Sequence, residues 1–123
     1  MSNSGPGYEK HPEHKIELKP GSARIRVIVD GEAIADTTNA IALHENGYPP
    51  VLYIPRVDVR MDRLVRTTHH TRCPFKGEAS YYSIIPNGAE NAVWSYETPY
   101  DEVLAIKEHI AFYPNKVDAI TVT

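Results

Sequence analysis

The chain has 123 residues, 41% of them hydrophobic and 24% charged, with 13 basic and 16 acidic side chains and a formal net charge of -3. That length suits one domain with its own core, and that charge excludes a global electrostatic attraction to nucleic acid or to an anionic membrane. The single cysteine excludes an intrachain disulfide framework and a zinc site built from four thiolates.

Residues 1–15, MSNSGPGYEKHPEHK, are polar and interrupted by glycine and proline, which predicts a mobile or loosely docked lead-in. They lack the apolar core of a signal peptide, and no run approaches the ~20 apolar residues that span a bilayer. The expected location is therefore the cytoplasm, with no membrane partner. His11 and His14 lie in this segment, where nothing fixes the further ligands a metal needs, so both are expected in solvent.

A single domain is expected over residues 16–123. A short strand around Ile16 to Leu18 precedes Pro20-Gly21. Ile25, Val27 and Val29 alternate with Arg24, Arg26 and Ile28, the pattern of a strand with one buried face. Asp30-Gly31 then supplies the two positive-φ positions of a tight hairpin turn, and EAIADT returns as the partner strand. Asn46-Gly47 and Pro49-Pro50 break the next segment, and VLYI reads as a short buried strand ended by Pro55. RVDVRMDRL predicts a turn of helix with Val57, Met61 and Leu64 on one side. GEASYYSII and NAVWSY predict two strands joined by PNGAE. Over YDEVLAIKEHIAFY, Val103, Ile106 and Ile110 recur at helical spacing, with Leu104 and Ala111 widening the stripe. Asp101 and Glu102 would complement the dipole of that helix, with Thr98 as its cap and Pro99 at its first position. VDAITVT closes the chain as a strand. The fold class expected is mainly β: a compact antiparallel β-barrel or roll with one C-terminal helix, since the hairpins argue against parallel winding.

The chemistry concentrates in RTTHHTRCPFKGEASYY, Arg66 to Tyr82. His69, His70 and Cys73 could supply metal ligands, but adjacent histidines on an extended chain point to opposite faces. Nothing in the spacing of His44 or His109 asks for a second pair, so no metal is expected. Arg72, His70 and Lys76 near Cys73 would lower a thiol pKa if they converged, although a lone cysteine also serves as a small apolar group. Lys76 beside Gly77 suits close approach of a ligand to the backbone, with Arg72, Arg66 and Arg56 as further charge. The alternative is a bulge at Gly77 with Lys76 in solvent. Tyr81 or Tyr82 opposite Trp94, with Tyr96, makes either a cross-strand aromatic cluster or a wall for a planar ligand. Asp58 and Asp62 read as a metal-binding carboxylate pair or as solvated charges.

YIPRVDV, CPFKGEASYYS, AVWSYETPYDEV and HIAFYPNKVD, in that order, resemble the DUF427 family of small domains across about His14 to Val122. The resemblance implies a compact, mostly antiparallel β fold with a short helix and carries no function. A nucleotidyltransferase label attaches to the domain name. Polymerase-β-like transferases use a Gly-Ser turn followed by paired carboxylates, and Asp58 and Asp62 have no Gly-Ser before them. The reading that results is a β domain binding a small polar or anionic ligand near the CPFKG turn. Its expected contacts are Arg72, Cys73, Lys76, Tyr82 and Trp94, with no cofactor and no nucleic acid. An enzyme using Cys73 or a metal, and an interaction module without pocket chemistry, stand as alternatives. The oligomeric state stays open.

Overall fold

The computed structural model of the chain describes residues 3–86 and 88–123. Asn87, inside the PNGAE connection, lies outside them, as do Met1 and Ser2 of the lead-in. The strands are β1 (Ile16–Pro20), β2 (Ile25–Val29), β3 (Glu32–Thr37), β4 (Ile41–Glu45), β5 (Val51–Pro55), β6 (Leu64–Cys73), β7 (Gly77–Ile84), β8 (Val93–Tyr96), β9 (His109–Phe112) and β10 (Ala119–Val122). They form a seven-stranded sheet, ordered β1-β4-β5-β9-β8-β7-β6, and a three-stranded sheet, β10-β2-β3. Neighbouring strands pair antiparallel throughout.

The antiparallel β character agrees with the sequence, but the barrel does not close. Neither strand order circles back on itself: β1 and β6 end the large sheet and β10 and β3 the small one, with a single isolated bridge from Ala35 of β3 to Val59. The two sheets stack instead, because the alternation in β2 buries Ile25, Val27 and Val29 together with Ile34 of β3 against Ile54, Tyr82, Ile84, Val93, Ile110 and Phe112 of the large sheet. The opposite face of the large sheet carries a second core of Leu43, Tyr53, Ala79, Tyr81, Tyr96 and Ala111, completed by Val103 and Ile106. Period-two alternation puts adjacent residues into different cores: Tyr82 belongs to the first and Tyr81 to the second.

The expected C-terminal helix is absent. Asp101–Ile106 is a stretch of 3-10 turns with a kink at Val103, where φ is -127° and ψ 28°, and Glu108 then takes a left-handed φ of 64°. The chain re-enters the sheet as β9. Thr98 caps nothing, and Pro99 is buried before the first turn. The physical cause is the covering of β9 on both faces, which makes Ile110, Ala111 and Phe112 a continuous apolar run. A three-residue 3-10 spacing from Val103 to Ile106, followed by such a strand, mimics a helical stripe.

RVDVRMDRL likewise forms two 3-10 turns, Arg56–Asp58 and Met61–Arg63, and Val57 points outward, 92% exposed. The Asp30-Gly31 turn matches its reading, with φ of 52° and 75° between β2 and β3. β6, polar along most of its length, is the outermost strand of the sheet. Its pairing with β7 slips between Arg66 and His70, a bulge that blunts an exposed edge.

Candidate functional site

β6 ends at Cys73 and β7 begins at Gly77, so Pro74, Phe75 and Lys76 form the connection. Gly77 has a φ of 126°, and a Cβ there would lie 3.4 Å from the Thr98 carbonyl oxygen. The positive φ is what calls for glycine, since the contact with Thr98 would be of ordinary length. The Tyr100 amide donates to the Lys76 carbonyl at 3.0 Å and the Gly7 amide to the Pro74 carbonyl at 3.0 Å. The lead-in is therefore docked along part of its length. Gly7–Lys10 makes one helical turn beside Phe75, whose ring lies between Tyr8 (centroids 5.1 Å apart, edge-on) and His14 (3.8 Å, stacked). His14, expected in solvent, is instead packed; His11 is exposed.

The β1–β4 register sets Ile16 opposite Glu45, which brings His14, two residues earlier, to the end of β4. There the Lys76 ammonium donates to Glu45 Oε1 and His14 Nε2 donates to Glu45 Oε2, both at 2.8 Å. The Lys76, Glu45 and His14 side chains are 16%, 9% and 19% exposed. Burial alone would raise the Glu45 carboxyl above its ordinary range. The hydrogen bonds and charges of Lys76 and His14 outweigh that and hold it below. These groups border a cleft of about 370 Å³, walled also by Leu43, Tyr48, Val51, Cys73 and Phe75.

The other expected contacts do not gather here. Arg72 is 69% exposed and its nearest carboxylate is Glu78, at 3.4 Å. Tyr82 lies in the core on the far face of the sheet. Trp94 is directly opposite Tyr81, half-buried, and donates from Nε1 to the Tyr53 hydroxyl at 3.2 Å. Its ring centroid is 4.4 Å from that of Tyr113. Tyr81 and Trp94 thus form a cross-strand aromatic group with Tyr53 and Tyr113, on the opposite side from Tyr82. Burial pushes the Tyr53 and Tyr96 phenols well up, and Tyr113 up to about 12, so these hydroxyls stay protonated.

His69 and His70 are exposed on the edge strand, His69 edge-on to Tyr81 at 4.5 Å. Asp58 accepts from Thr37 at 2.7 Å while Asp62 pairs with Arg60 at 2.9 Å, so the two carboxylates are engaged separately. Among the described residues no three His, Cys, Asp or Glu side chains converge as metal ligands, and no helix is long and apolar enough to cross a membrane.

Two groups escaped the reading of the sequence. Glu45 ends the alternating segment IALHE just before Asn46-Gly47, a position that could have marked it as a strand end but not as a partner of Lys76. The second group brings Arg66, expected like Arg56 as further charge near Lys76, instead to the far face of the sheet, around Arg56. Arg56 Nη2 donates to the Tyr82 hydroxyl and to Ser95 Oγ, both at 3.2 Å, while Arg66 Nη2 donates to Ser80 Oγ at 3.0 Å and lies 2.9 Å from Glu97.

A family model described as a domain of unknown function, DUF427, matches residues 17–123. No curated protein matches the chain.

Proposed function

Since the chain belongs to the DUF427 family, whose description names no activity, we propose from its geometry that it binds a small polar ligand with an anionic or strongly accepting group in the cleft over the Cys73–Gly77 turn. The observation that carries this reading is the shielded Glu45–Lys76 pair bordering a cleft of about 370 Å³ with apolar walls. An ammonium has three donors, and among the described residues the Lys76 Nζ gives one side-chain hydrogen bond, to Glu45. The remaining donors suit a carboxylate or phosphate, while Phe75 and Tyr48 offer surface for the rest of the ligand. The Glu45 carboxylate cancels the charge of Lys76, so the pocket favours directed hydrogen bonds over bulk attraction of anions. A polar molecule with both acceptor and donor groups fits better than a multiply charged one.

Thermal-shift titration with amino acids, small hydroxy acids and phosphate monoesters tests the reading. The expected result is a saturable rise in melting temperature with at least one class, lost in Lys76→Met and in Phe75→Ala. No stabilisation by any class, or equal stabilisation of the folded Lys76→Met protein, would leave the turn with a structural role.

A further inference from the structure

A second polar group lies on the other face of the large sheet, and its hydrogen bonding is incomplete. Arg56 follows β5, and its side chain runs beneath the Tyr82 ring, with the guanidinium carbon 5.8 Å from the ring centroid. A guanidinium carries five N–H donors. Here Nη2 meets two neutral hydroxyls, Tyr82 and Ser95, at 3.2 Å each. Ser95 has its own proton committed to the His109 carbonyl at 2.8 Å. Arg56 Nε is shielded from solvent and has no acceptor. The nearest carboxylates stand beyond hydrogen-bond reach, Glu97 Oε2 at 3.7 Å from Nη2 and Glu108 Oε2 at 4.0 Å from Nε. A largely buried cation without a bonded anion is costly to hold.

Glu97 sits between two arginines. Its Oε1 approaches Arg66 Nη2 to 2.9 Å, yet the alignment is poor and that oxygen has no hydrogen-bond partner. A carboxylate therefore lies between two guanidinium groups without satisfying either. Arg66 is 53% exposed and Glu97 33% exposed, so the group opens to solvent. Ser80 and Tyr82 hydroxyls line its inner side, aligned by the pairing of Ser80 with Ser95 and of Arg66 with Tyr82.

We propose that Arg56 and Arg66, with the hydroxyls of Ser80 and Tyr82, form an oxyanion-binding site for a carboxylate or phosphate group, in which Glu97 is a resident and displaceable competitor. Glu97 and the largely exposed Glu108, 4.0 Å from Arg56 Nε, formally balance the two arginines, so what the group offers an anion is unused N–H donors rather than net charge. A free oxyanion can adopt the planar, two-point geometry that Glu97, tethered to the chain just after β8, does not reach. This site is separate from the cleft over the turn, because Tyr82 and Cys73 pack in different cores.

The test is a titration of the folded protein with inorganic phosphate and, separately, with acetate, at constant ionic strength. The readout is the arginine Nε–Hε resonances in a ¹H–¹⁵N spectrum. The Arg56 Nε–Hε signal is expected to shift saturably with at least one anion. Saturation by phosphate assigns a tetrahedral oxyanion and saturation by acetate a carboxylate; either supports the site. Glu97→Gln should tighten binding by about tenfold, and Arg66→Gln should weaken it by about tenfold, a difference of ~1.4 kcal/mol in each direction. Arg66 is half-exposed, so its variant keeps the comparison valid if Arg56→Gln fails to fold. An Arg56 signal that neither anion moves, in wild type or in Glu97→Gln, would overturn the proposal. So would equal affinities in wild type and Glu97→Gln, since the carboxylate would then compete with nothing.

Discussion

Lys76 shows how far one side chain's role depends on its neighbour. In solvent, removal of its charge would change stability by no more than about 0.5 kcal/mol. Paired with Glu45 and mostly shielded, it leaves a buried carboxylate behind when it is lost. Lys76→Met is therefore expected to destabilise the fold by about 1–3 kcal/mol in urea unfolding. Glu45→Gln in the same background should recover part of that loss, giving a coupling energy above about 0.5 kcal/mol in a double-mutant cycle. An additive pair would contradict the ion pair. The pH dependence has a defined sign. The folded Glu45 carboxyl lies below its ordinary value of 4.5, so its contribution to stability is present above that value and is lost as the pH falls through the lower folded value. Urea unfolding between about pH 3 and pH 6 should show this loss in wild type, and Glu45→Gln should lack that component.

At the scale of elements, the segment from Asp101 to Phe112 decides the architecture. An amphipathic helix would place Leu104 beside Ala111, on the widened edge of the buried stripe. As 3-10 turns leading to a strand, the segment buries Ile106 completely and leaves Leu104 54% exposed. Ile106→Ala should accordingly cost about 2–5 kcal/mol, while Leu104→Ala should change stability by less than about 0.5 kcal/mol. Chemical denaturation of the two variants checks this, and comparable losses at both positions would restore the helix. The same segment anchors the lead-in: the Asn3 amide donates to Asp101 Oδ2 at 2.6 Å, and Gly5 and Ser4 both donate to Glu102. Gly7 has no room for a side chain, since a Cβ would lie 2.7 Å from the Phe75 ring. Polar anchors and one aromatic stack hold this strap onto the turn that borders the cleft.

The whole molecule is built on a seven-stranded sheet with a core on each face, one closed by the three-stranded sheet and the other by the 3-10 stretch. β9 joins the two, because Ile110 faces the smaller sheet and Ala111 faces the 3-10 stretch. The shared central strand makes independent melting of the two cores unfavourable, since either one alone would leave an apolar face of the sheet in water. Ile54→Ala belongs to the first core and Ile106→Ala to the second. Each should lower a single transition, with far-UV circular dichroism and Trp94 fluorescence giving the same midpoint. Separate midpoints in either variant would show that the cores unfold independently. The arrangement also keeps the two polar groups apart, the Glu45–Lys76 cleft on one side of the sheet and the Arg56–Glu97 group on the other.

The sequence by itself determined the local features whose signal lies within a few residues. The alternation Ile25-Val27-Val29 and the positive-φ pair Asp30-Gly31 specify the β2–β3 hairpin through the geometry of adjacent residues. The aromatic run around Tyr81 specifies β7, and the motifs from YIPRVDV to HIAFYPNKVD specify the family. Tertiary structure alone decided the rest. β9 is a strand because cores cover both its faces, and a fully buried strand lacks the alternation that separates it from a helix. β4 contributes Glu45 to Lys76 across 31 positions of sequence. Arg56 and Ser95 meet across 39, so no local spacing announces either contact. Tyr81 and Tyr82 look equivalent as neighbours, yet the period of two assigns them to opposite faces. Which face holds Cys73 and Lys76 follows from the pairing of the whole sheet.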